Sequence, residues 1–212
     1  MRIVTLALSG GIDSTAALLK LFKSYNFDKI TAHHVGLLTR EGADRVQAEL
    51  RACRNIIKWF GTHGMPVEYS ESQLDLLFDR RSGTPDIVLV QPQVTQAMLH
   101  YSTGTLYTGM YIAYGDHLDE FRKSSFRGRW DLVERLFRNT MKTVTEGWYE
   151  VPAYDVIAPN YNSTKRENYE YLPEDLLALT TSCRKGTGCG NCAPCLEIEG
   201  IRMRYHGENY TV

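Results

Sequence analysis

Four residues near the start of the chain, within the stretch LALSGGIDSTAALLK, are of types that bind phosphate, namely Ser9, Gly10, Gly11 and Ser14, and a carboxylate, Asp13, lies among them. Glycines have no side chain, so the backbone N–H groups beside them can approach an anion closely. The helix-like pattern that follows adds unpaired N–H groups and the positive end of a helix dipole. A carboxylate suits such a place when it holds Mg²⁺ that bridges phosphate oxygens. The stretch therefore predicts a magnesium–pyrophosphate site.

This glycine-rich stretch differs from the Walker A loop, because it has neither the lysine nor the spacing of G-x-x-x-x-G-K-S/T. The alternative is an ordinary glycine-rich turn between a strand and a helix. The order Ser-Gly-Gly-x-Asp-Ser, directly after an apolar run, favours the phosphate interpretation.

Four of the five cysteines lie in one short segment with the spacing C-x5-C-x2-C-x2-C: Cys183, Cys189, Cys192 and Cys195. Four thiolates at this spacing can close a tetrahedral zinc site, which leaves no open position for catalysis and is therefore structural. An iron–sulfur cluster also takes four thiolates and remains an alternative. Disulfides are disfavoured, because an oxidised secreted domain spreads its cysteines along the chain.

Elements that alternate between strand and helix must position these residues. We expect strands at Ile3–Leu8, Lys29–Val35, Val67–Ser70, Leu106–Ala113 and Val151–Ile157, and helices at Thr15–Tyr25, Ala43–Phe60, from Thr95, at Trp130–Val144 and from Thr164, with a loop at Arg80–Asp86. This order predicts an α/β fold with a parallel sheet flanked by helices. In such sheets ligands bind at the carboxyl ends of the strands, where the glycine-rich stretch falls.

The composition sets limits on the class of protein. The 212 residues suit one domain with a small appendage, and 43% hydrophobic residues are enough for a real core. A net charge of −1 gives no electrostatic case for nucleic acid or an anionic membrane. The sequence contains no apolar run long enough to span a bilayer, and its start does not resemble a signal peptide. We expect a cytoplasmic protein.

The Ser-Gly-Gly-x-Asp-Ser motif resembles the pyrophosphate loop of the PP-loop ATP pyrophosphatase superfamily, whose members adenylate substrates and release pyrophosphate. Combined with the four cysteines, it resembles 7-cyano-7-deazaguanine synthase, the nitrile-forming enzyme of queuosine-precursor synthesis. The segments YEVPAYDVIAPNYNSTKREN, LTTSCRKGTGCGNCAPC and DRVQAELRAC extend the resemblance from the first strand to about Leu196. Such a chain is also consistent with a virus-encoded member, or with one recruited to defence or DNA modification.

The resemblance implies an adenine nucleotide alpha-hydrolase-like fold, with an ATP-binding core over residues 1–150 and a helical zinc-knuckle segment over 151–212. It implies that the glycine-rich stretch grips the ATP phosphates, that Asp13 helps to place Mg²⁺, and that Lys165 and Arg45 join the ATP site. The implied reaction converts 7-carboxy-7-deazaguanine, ammonia and ATP to 7-cyano-7-deazaguanine (preQ0). The implied ligands are ATP, Mg²⁺ and Zn²⁺, and the implied assembly is a homodimer without nucleic acid or membrane.

Several of these residues also have plainer interpretations. Lys165 can be a solvated lysine at a helix end, although a cation in a first turn opposes the dipole and makes sense beside an anion. Arg45 can be an i,i+4 partner of Glu49. His33 and His34 fit a simple strand end better than a base-binding pair. Packing is the expected role of Cys53, which lies on the apolar stripe of its helix, and of three tyrosines that could otherwise stack on a purine: Tyr101, Tyr107 and Tyr111.

Two regions depart from the synthase pattern. Residues 90–95, Val-Gln-Pro-Gln-Val-Thr, lack the arginine and asparagine of that family's Pro-Gly-Arg-Asn-like stretch. In the segment that follows the fourth strand, Asp119 and Asp131 are the best matches to the family's acidic loop. Both regions face the pocket in that family, so the substrate can differ.

Other functions therefore remain open. One is another PP-loop adenylating enzyme, such as a ligase that stops at the amide. A tRNA thiolase should show a basic face and a cysteine pair away from the knuckle, whereas Cys53 is the one cysteine outside the cluster. A non-catalytic ATP-binding module is the alternative from a different class.

Overall fold

The structure, a computed structural model, describes residues 1–38, 43–75, 86–103, 107–115, 123–148, 150–186 and 188–207. Side chains are described in these ranges except at 86–87, 123–130 and 204–207. Within them the strands are β1 (Arg2–Ala7), β2 (Lys29–Leu38), β3 (Glu68–Asp75), β4 (Gly109–Ala113) and β5 (Ala153–Ile157). The helices are α1 (Ile12–Ser24), α2 (Asp44–Thr62), α3 (Asp86–Tyr101), α4 (Lys123–Val144), α5 (Lys165–Tyr171), α6 (Glu174–Leu177) and α7 (Ala193–Gly207).

The five strands form one parallel sheet in the order β3-β2-β1-β4-β5. Ile3 of β1 stands beside Lys29 of β2 on one side and Met110 of β4 on the other. The strand order reverses between β1 and β4. A crevice at the carboxyl ends of these two strands is therefore the position where a ligand is expected.

Both faces of the sheet are covered by helices, which explains why β1 is a continuous apolar run. One buried cluster joins Val4 and Leu6 to residues of α1 and α2, among them Leu18 and Ile56. A second joins Ile3 on the opposite face to residues of α3 and α4, among them Val94, Met98, Val133 and Phe137. The predicted α/β class with a parallel sheet flanked by helices is confirmed. No helix in the described ranges is both long and apolar enough to cross a membrane.

The helix predicted from Thr95 begins nine residues earlier in the structure, where α3 extends from Asp86 to Tyr101. Pro92 lies inside it, at a position where proline ordinarily disfavours a helix. Burial of Val94 and Met98 against the sheet outweighs that local preference. The described part of the following strand begins at Gly109, and Leu106 lies outside the described residues.

The boundaries of two other helices differ less from those predicted from the sequence. The first helix begins at Ile12 instead of Thr15, and the helix predicted from Trp130 begins at Lys123. Residues 80–85 of the expected loop lie outside the described ranges, whereas Asp86 belongs to α3. The capping box before α5 is confirmed: the Thr164 hydroxyl accepts from the Glu167 N–H at 3.2 Å, and the Glu167 carboxylate accepts from the Thr164 N–H at 2.6 Å.

The end of β4 packs tightly against the start of α1. A Cβ atom added to Gly115 would lie 2.4 Å from Ser14 Cα and 2.6 Å from Ser14 N. Both are backbone atoms, so they cannot rotate away. The close approach of these two segments therefore requires glycine at this position.

We expect Gly115→Ala to lower the free energy of unfolding by about 1–3 kcal/mol, because the extra methyl group separates β4 from α1. Denaturant melts measure this loss. Gly61→Ala is the matched control: its site in α2 has open space, so about 0.5–1 kcal/mol should be gained from helix propensity. Equal losses in both variants would contradict the packing described here.

Candidate functional site

The turn between β1 and α1 has a backbone shape that glycine permits. Gly10 has φ +76°, a left-handed conformation, and a Cβ there would lie 3.0 Å from Ala52 Cβ and from the Glu49 carbonyl oxygen. Ser9 and Ser14 form hydrogen bonds within the turn. Their hydroxyl oxygens are 3.0 Å apart, and the Ser9 N–H donates to Ser14 Oγ at 3.2 Å.

The N–H groups in the first turn of α1 lie at this turn and have no partner within the helix. Gly11 is the N-cap residue, and no side chain of the described residues caps the helix start. The N–H of Thr15 makes the first intrahelical bond, to the Gly11 carbonyl at 3.1 Å. The preceding N–H groups, with the positive end of the dipole, form a ready site for an anion.

Asp13 and Lys165 lie together beside this helix start, although 152 positions separate them in the sequence. Lys165 Nζ is 3.8 Å from Asp13 Oδ2, and it donates to Glu197 Oε2 at 2.9 Å. The Lys165 side chain is 13% exposed and that of Asp13 is 22% exposed. Lys165 is thus held close to the candidate anion site, which a solvated lysine would not be.

Arg45 forms the ion pair that its plainer interpretation predicts. Its Nε donates to Glu49 Oε1 at 2.6 Å, the i,i+4 pair expected from the sequence. It also lines a cavity of about 120 Å³ at the carboxyl ends of β1 and β2. The other lining residues are Ala7, Leu8, Ser9, His33, His34, Val35, Leu37, Glu49 and Val90.

His33 and His34 are both buried at this cavity. Burial, and then the neighbouring His34, lower the pKa of His33 to about 4, so its ring is neutral. Its two nitrogens lie 2.7 Å from Ser70 Oγ and 3.0 Å from Ser72 Oγ. His34 Nδ1 donates to the Leu8 carbonyl at 2.9 Å, while its Nε2 has no hydrogen-bond partner among the described residues.

Cys53 is a core residue, as expected. It is fully buried, its sulfur lies 3.6 Å from the Leu8 carbonyl oxygen, and burial raises the pKa of the thiol. A thiol in this setting does not become a nucleophile near neutral pH. Tyr107 is buried and packs in the core, and Tyr111 packs against Phe27.

The four clustered cysteines meet at one point. Their Sγ atoms all lie within 4.8 Å of one another, close enough to ligate a single metal ion. Gly186, Gly188 and Gly190 turn the chain around this point with φ values of +74°, +65° and +69°. The predicted four-cysteine cluster is therefore a candidate metal site.

The cysteine segment touches the glycine-rich turn directly. The Thr181 N–H donates to the Gly10 carbonyl at 2.8 Å. A Cβ added to Gly186 would lie 2.5 Å from the Asp44 carbonyl oxygen and 3.0 Å from Arg45 N. The metal candidate is thus packed against both the turn and the start of α2.

Sequence reasoning missed three polar residues around Asp13: Lys20, Asn160 and Asn168. Asn160 and Asn168 are fully buried. The one signal in the sequence is Lys20, a charge within the otherwise apolar run of α1. Of the two expected acidic-loop matches, Asp119 lies outside the described residues and Asp131 is exposed on α4.

Comparisons with protein-family models and with curated proteins find no match. Among solved structures, the U34-tRNA thiolase NcsA from Methanococcus maripaludis, solved with its 4Fe-4S cluster, is similar over 98% of this chain, with 16% identity and a TM-score of 0.53. This chain spans 66% of the thiolase's length. NMN synthetase from Francisella tularensis matches 99% of this chain and 87% of its own, with 15% identity and a TM-score of 0.40.

Both solved proteins belong to the PP-loop ATP pyrophosphatase superfamily. The similarity to the thiolase confirms the PP-loop fold for this chain. The Ser-Gly-Gly-x-Asp-Ser turn follows the first strand of this fold and leads into α1.

We expect Cys192→Ser to lose bound metal and to lower the melting temperature, because one of the four clustered thiolates is removed. Metal content by elemental analysis and a thermal melt measure both effects. Cys53→Ala is the matched control, since it removes a core cysteine and should keep the metal. Full metal content with unchanged melting in Cys192→Ser would contradict the assignment.

The neutral His33 should make stability depend on pH. Its pKa of about 4 in the folded chain is below the ordinary value near 6.5 of an unfolded chain. The unfolded state binds more protons between these values, so this contribution is complete above about pH 6.5 and is lost as the pH falls toward 4. In denaturant melts, His33→Gln should lose less stability across that window than the wild type; parallel losses would contradict this.

Proposed function

We propose that this protein uses Mg–ATP to adenylate a substrate and releases pyrophosphate. The observation that carries the proposal is the uncapped start of α1 behind a glycine turn, with Asp13 and Lys165 beside it. Backbone N–H groups and a lysine offer donors to phosphate oxygens. Electrostatic stabilisation by positioned donors is the main contribution that such a site can make to phosphate chemistry.

The residues around the turn fit Mg²⁺ together with a nucleotide. Asp13 supplies the carboxylate oxygen ligand that Mg²⁺ prefers, and Ser9 and Ser14 add hydroxyls. When bound, the ion neutralises charge on the phosphates. Lys165, which lies beside Asp13, would add a positive charge near the phosphates, and the N–H groups of the turn would fix the orientation of the phosphate chain.

The finer proposal is that the substrate is 7-carboxy-7-deazaguanine and the product 7-cyano-7-deazaguanine. A carboxylate is a poor electrophile, so its oxygen first attacks the α-phosphate of ATP and expels pyrophosphate. Ammonia displaces AMP to give an amide. A second ATP adenylates the amide oxygen, and loss of AMP and protons leaves the nitrile. The sequence resemblance supports this choice, and so does the cavity beside Ser9, His34 and Arg45.

We propose zinc for the cysteine cluster and a structural role for it. Four thiolates within one short segment suit tetrahedral Zn²⁺ and leave no position for substrate. An iron–sulfur cluster needs the same donors. Elemental analysis with a visible absorption spectrum separates the two, since Zn²⁺ is colourless and iron–sulfur clusters absorb. We also propose that the protein forms the homodimer that the sequence resemblance implies.

An adenylating ligase that stops at the amide is the second candidate. The departure at residues 90–95 favours it, since this segment lies within α3 and Val90 lines the cavity. A thiolase is disfavoured, because the one cysteine outside the cluster, Cys53, is buried with a raised pKa.

The test incubates the purified protein with Mg–ATP, ammonium and 7-carboxy-7-deazaguanine, and follows the base and the nucleotide by mass spectrometry. Nitrile with AMP and pyrophosphate supports the synthase. Amide as the end product supports the second candidate. Formation of AMP only with another acceptor means that the protein adenylates a different substrate. ATP binding without turnover on any acceptor overturns the enzyme proposal in favour of a binding module.

In the same assay we expect Asp13→Ala to lower turnover by at least about 100-fold, because the loop loses its carboxylate. The fold should be retained, since Asp13 is partly exposed. Asp155→Ala, which removes an exposed carboxylate on β5, is the matched control and should keep activity. Unchanged turnover in Asp13→Ala would exclude its assigned role.

A further inference from the structure

A half-buried cation, the ammonium group of Lys20, lies behind the glycine-rich turn. Lys20 Nζ donates to Asn160 Oδ1 at 2.8 Å, to Ser163 Oγ at 2.7 Å and to Asn168 Oδ1 at 3.0 Å. We name these four residues the Lys20 cluster. All three hydrogens of the ammonium group have an acceptor, so the position of the cation is fully determined.

The cation fixes which way both amides face. An ammonium group only donates, so it takes the oxygen of each amide and turns each NH₂ group the other way. Asn168 Nδ2 then donates to Asp13 Oδ1 at 2.9 Å. Asn160 Nδ2 donates to the Asp13 carbonyl at 2.7 Å and to the Gly115 carbonyl at 2.8 Å. The cluster thus grips Asp13 by its carboxylate and by its backbone.

Filling this space with the polar residues of the Lys20 cluster costs free energy of desolvation. Asn160 and Asn168 are 0% exposed, and desolvation by burial lowers the pKa of Lys20 against the opposing charges of Glu167 and Asp13. Burying polar groups costs free energy that their hydrogen bonds roughly offset, and apolar side chains would fill the same volume without that cost. Fixed geometry is what a satisfied buried network adds.

We propose that Asn168 is a positioning residue for Asp13, and that Lys20 sets the direction of the Asn168 amide. Asn168 holds Oδ1, and Oδ2 is the carboxylate oxygen that lies toward Lys165 at 3.8 Å. The carboxylate is therefore held in one orientation before magnesium and nucleotide arrive. This inference rests on the proposed Mg–ATP site and adds residues that the glycine-rich motif does not contain.

If Asn168 has only a structural role, its replacement changes the stability of the protein but does not change how the folded protein binds its ligand. A positioning Asn168 changes how much Mg²⁺ strengthens nucleotide binding, because residues that orient a metal ligand typically change metal affinity by about 10–100-fold. Binding through the N–H groups of α1 does not need the Asp13 carboxylate, so it is unaffected by either role. The ratio of ATP affinities with and without Mg²⁺ separates the two roles.

The experiment is calorimetric titration of the full chain with ATP, in excess Mg²⁺ and in chelator. We expect Asn168→Leu to keep the affinity measured in chelator and to lower the Mg²⁺-dependent gain by at least about tenfold. Asn162→Leu makes the same change at an exposed position of the same segment and should behave as the wild type. A wild-type gain in folded Asn168→Leu overturns the inference.

Lys20→Met is the second variant and covers the case that Asn168→Leu does not fold. It keeps the length of the side chain and removes the cation that orients the amide, so the Mg²⁺-dependent gain should again fall. An undiminished gain in Lys20→Met overturns its orienting role. If the wild type binds ATP with a Mg²⁺-dependent gain that neither variant reduces, the positioning inference fails and the proposed ATP site stands. If the wild type itself binds no Mg–ATP, both fail.

Discussion

Backbone N–H groups at the start of α1 have no helical partner, and their position at the carboxyl end of β1 constrains the surrounding structure. Gly10 takes the left-handed turn that aims the chain into the helix, and Gly115 lets the end of β4 lie directly on Ser14. The cysteine segment adds a bond from Thr181 to the Gly10 carbonyl. Three distant parts of the chain therefore hold one short turn in place, which is what a preorganised anion site requires.

Charge around this turn is balanced by residues from the second half of the chain. Lys165 opens α5, where the dipole disfavours a cation, and carboxylates of Asp13 and Glu197 offset that cost. Glu197 lies on α7 two residues after Cys195, so the helix that carries one of the clustered cysteines also carries the ion-pair partner of Lys165. A change at the cysteines is thereby linked to the lysine beside the candidate phosphate-binding turn.

Much of this arrangement could be read from the sequence, because the informative signals are local. The glycine-rich turn, the cysteine spacing and the capping box at Thr164 each occupy a short segment whose residue types determine its shape. The start of α3 could not be predicted, since burial of Val94 and Met98 against the sheet overrides the break suggested by Pro92. The contacts from Lys20 to Asn160 and Asn168 join residues 140 and 148 positions apart, so no local pattern reveals them.

The most direct test of the central claim is an NMR titration of isotope-labelled protein with magnesium pyrophosphate. A pyrophosphate-binding turn predicts saturable shifts that appear first at the amide resonances of Gly10, Gly11 and Ile12, since these N–H groups would face the anion. Glycine amides far from the turn, such as Gly61 and Gly147, should not move. Absence of saturable binding, or shifts centred away from the start of α1, would contradict the account.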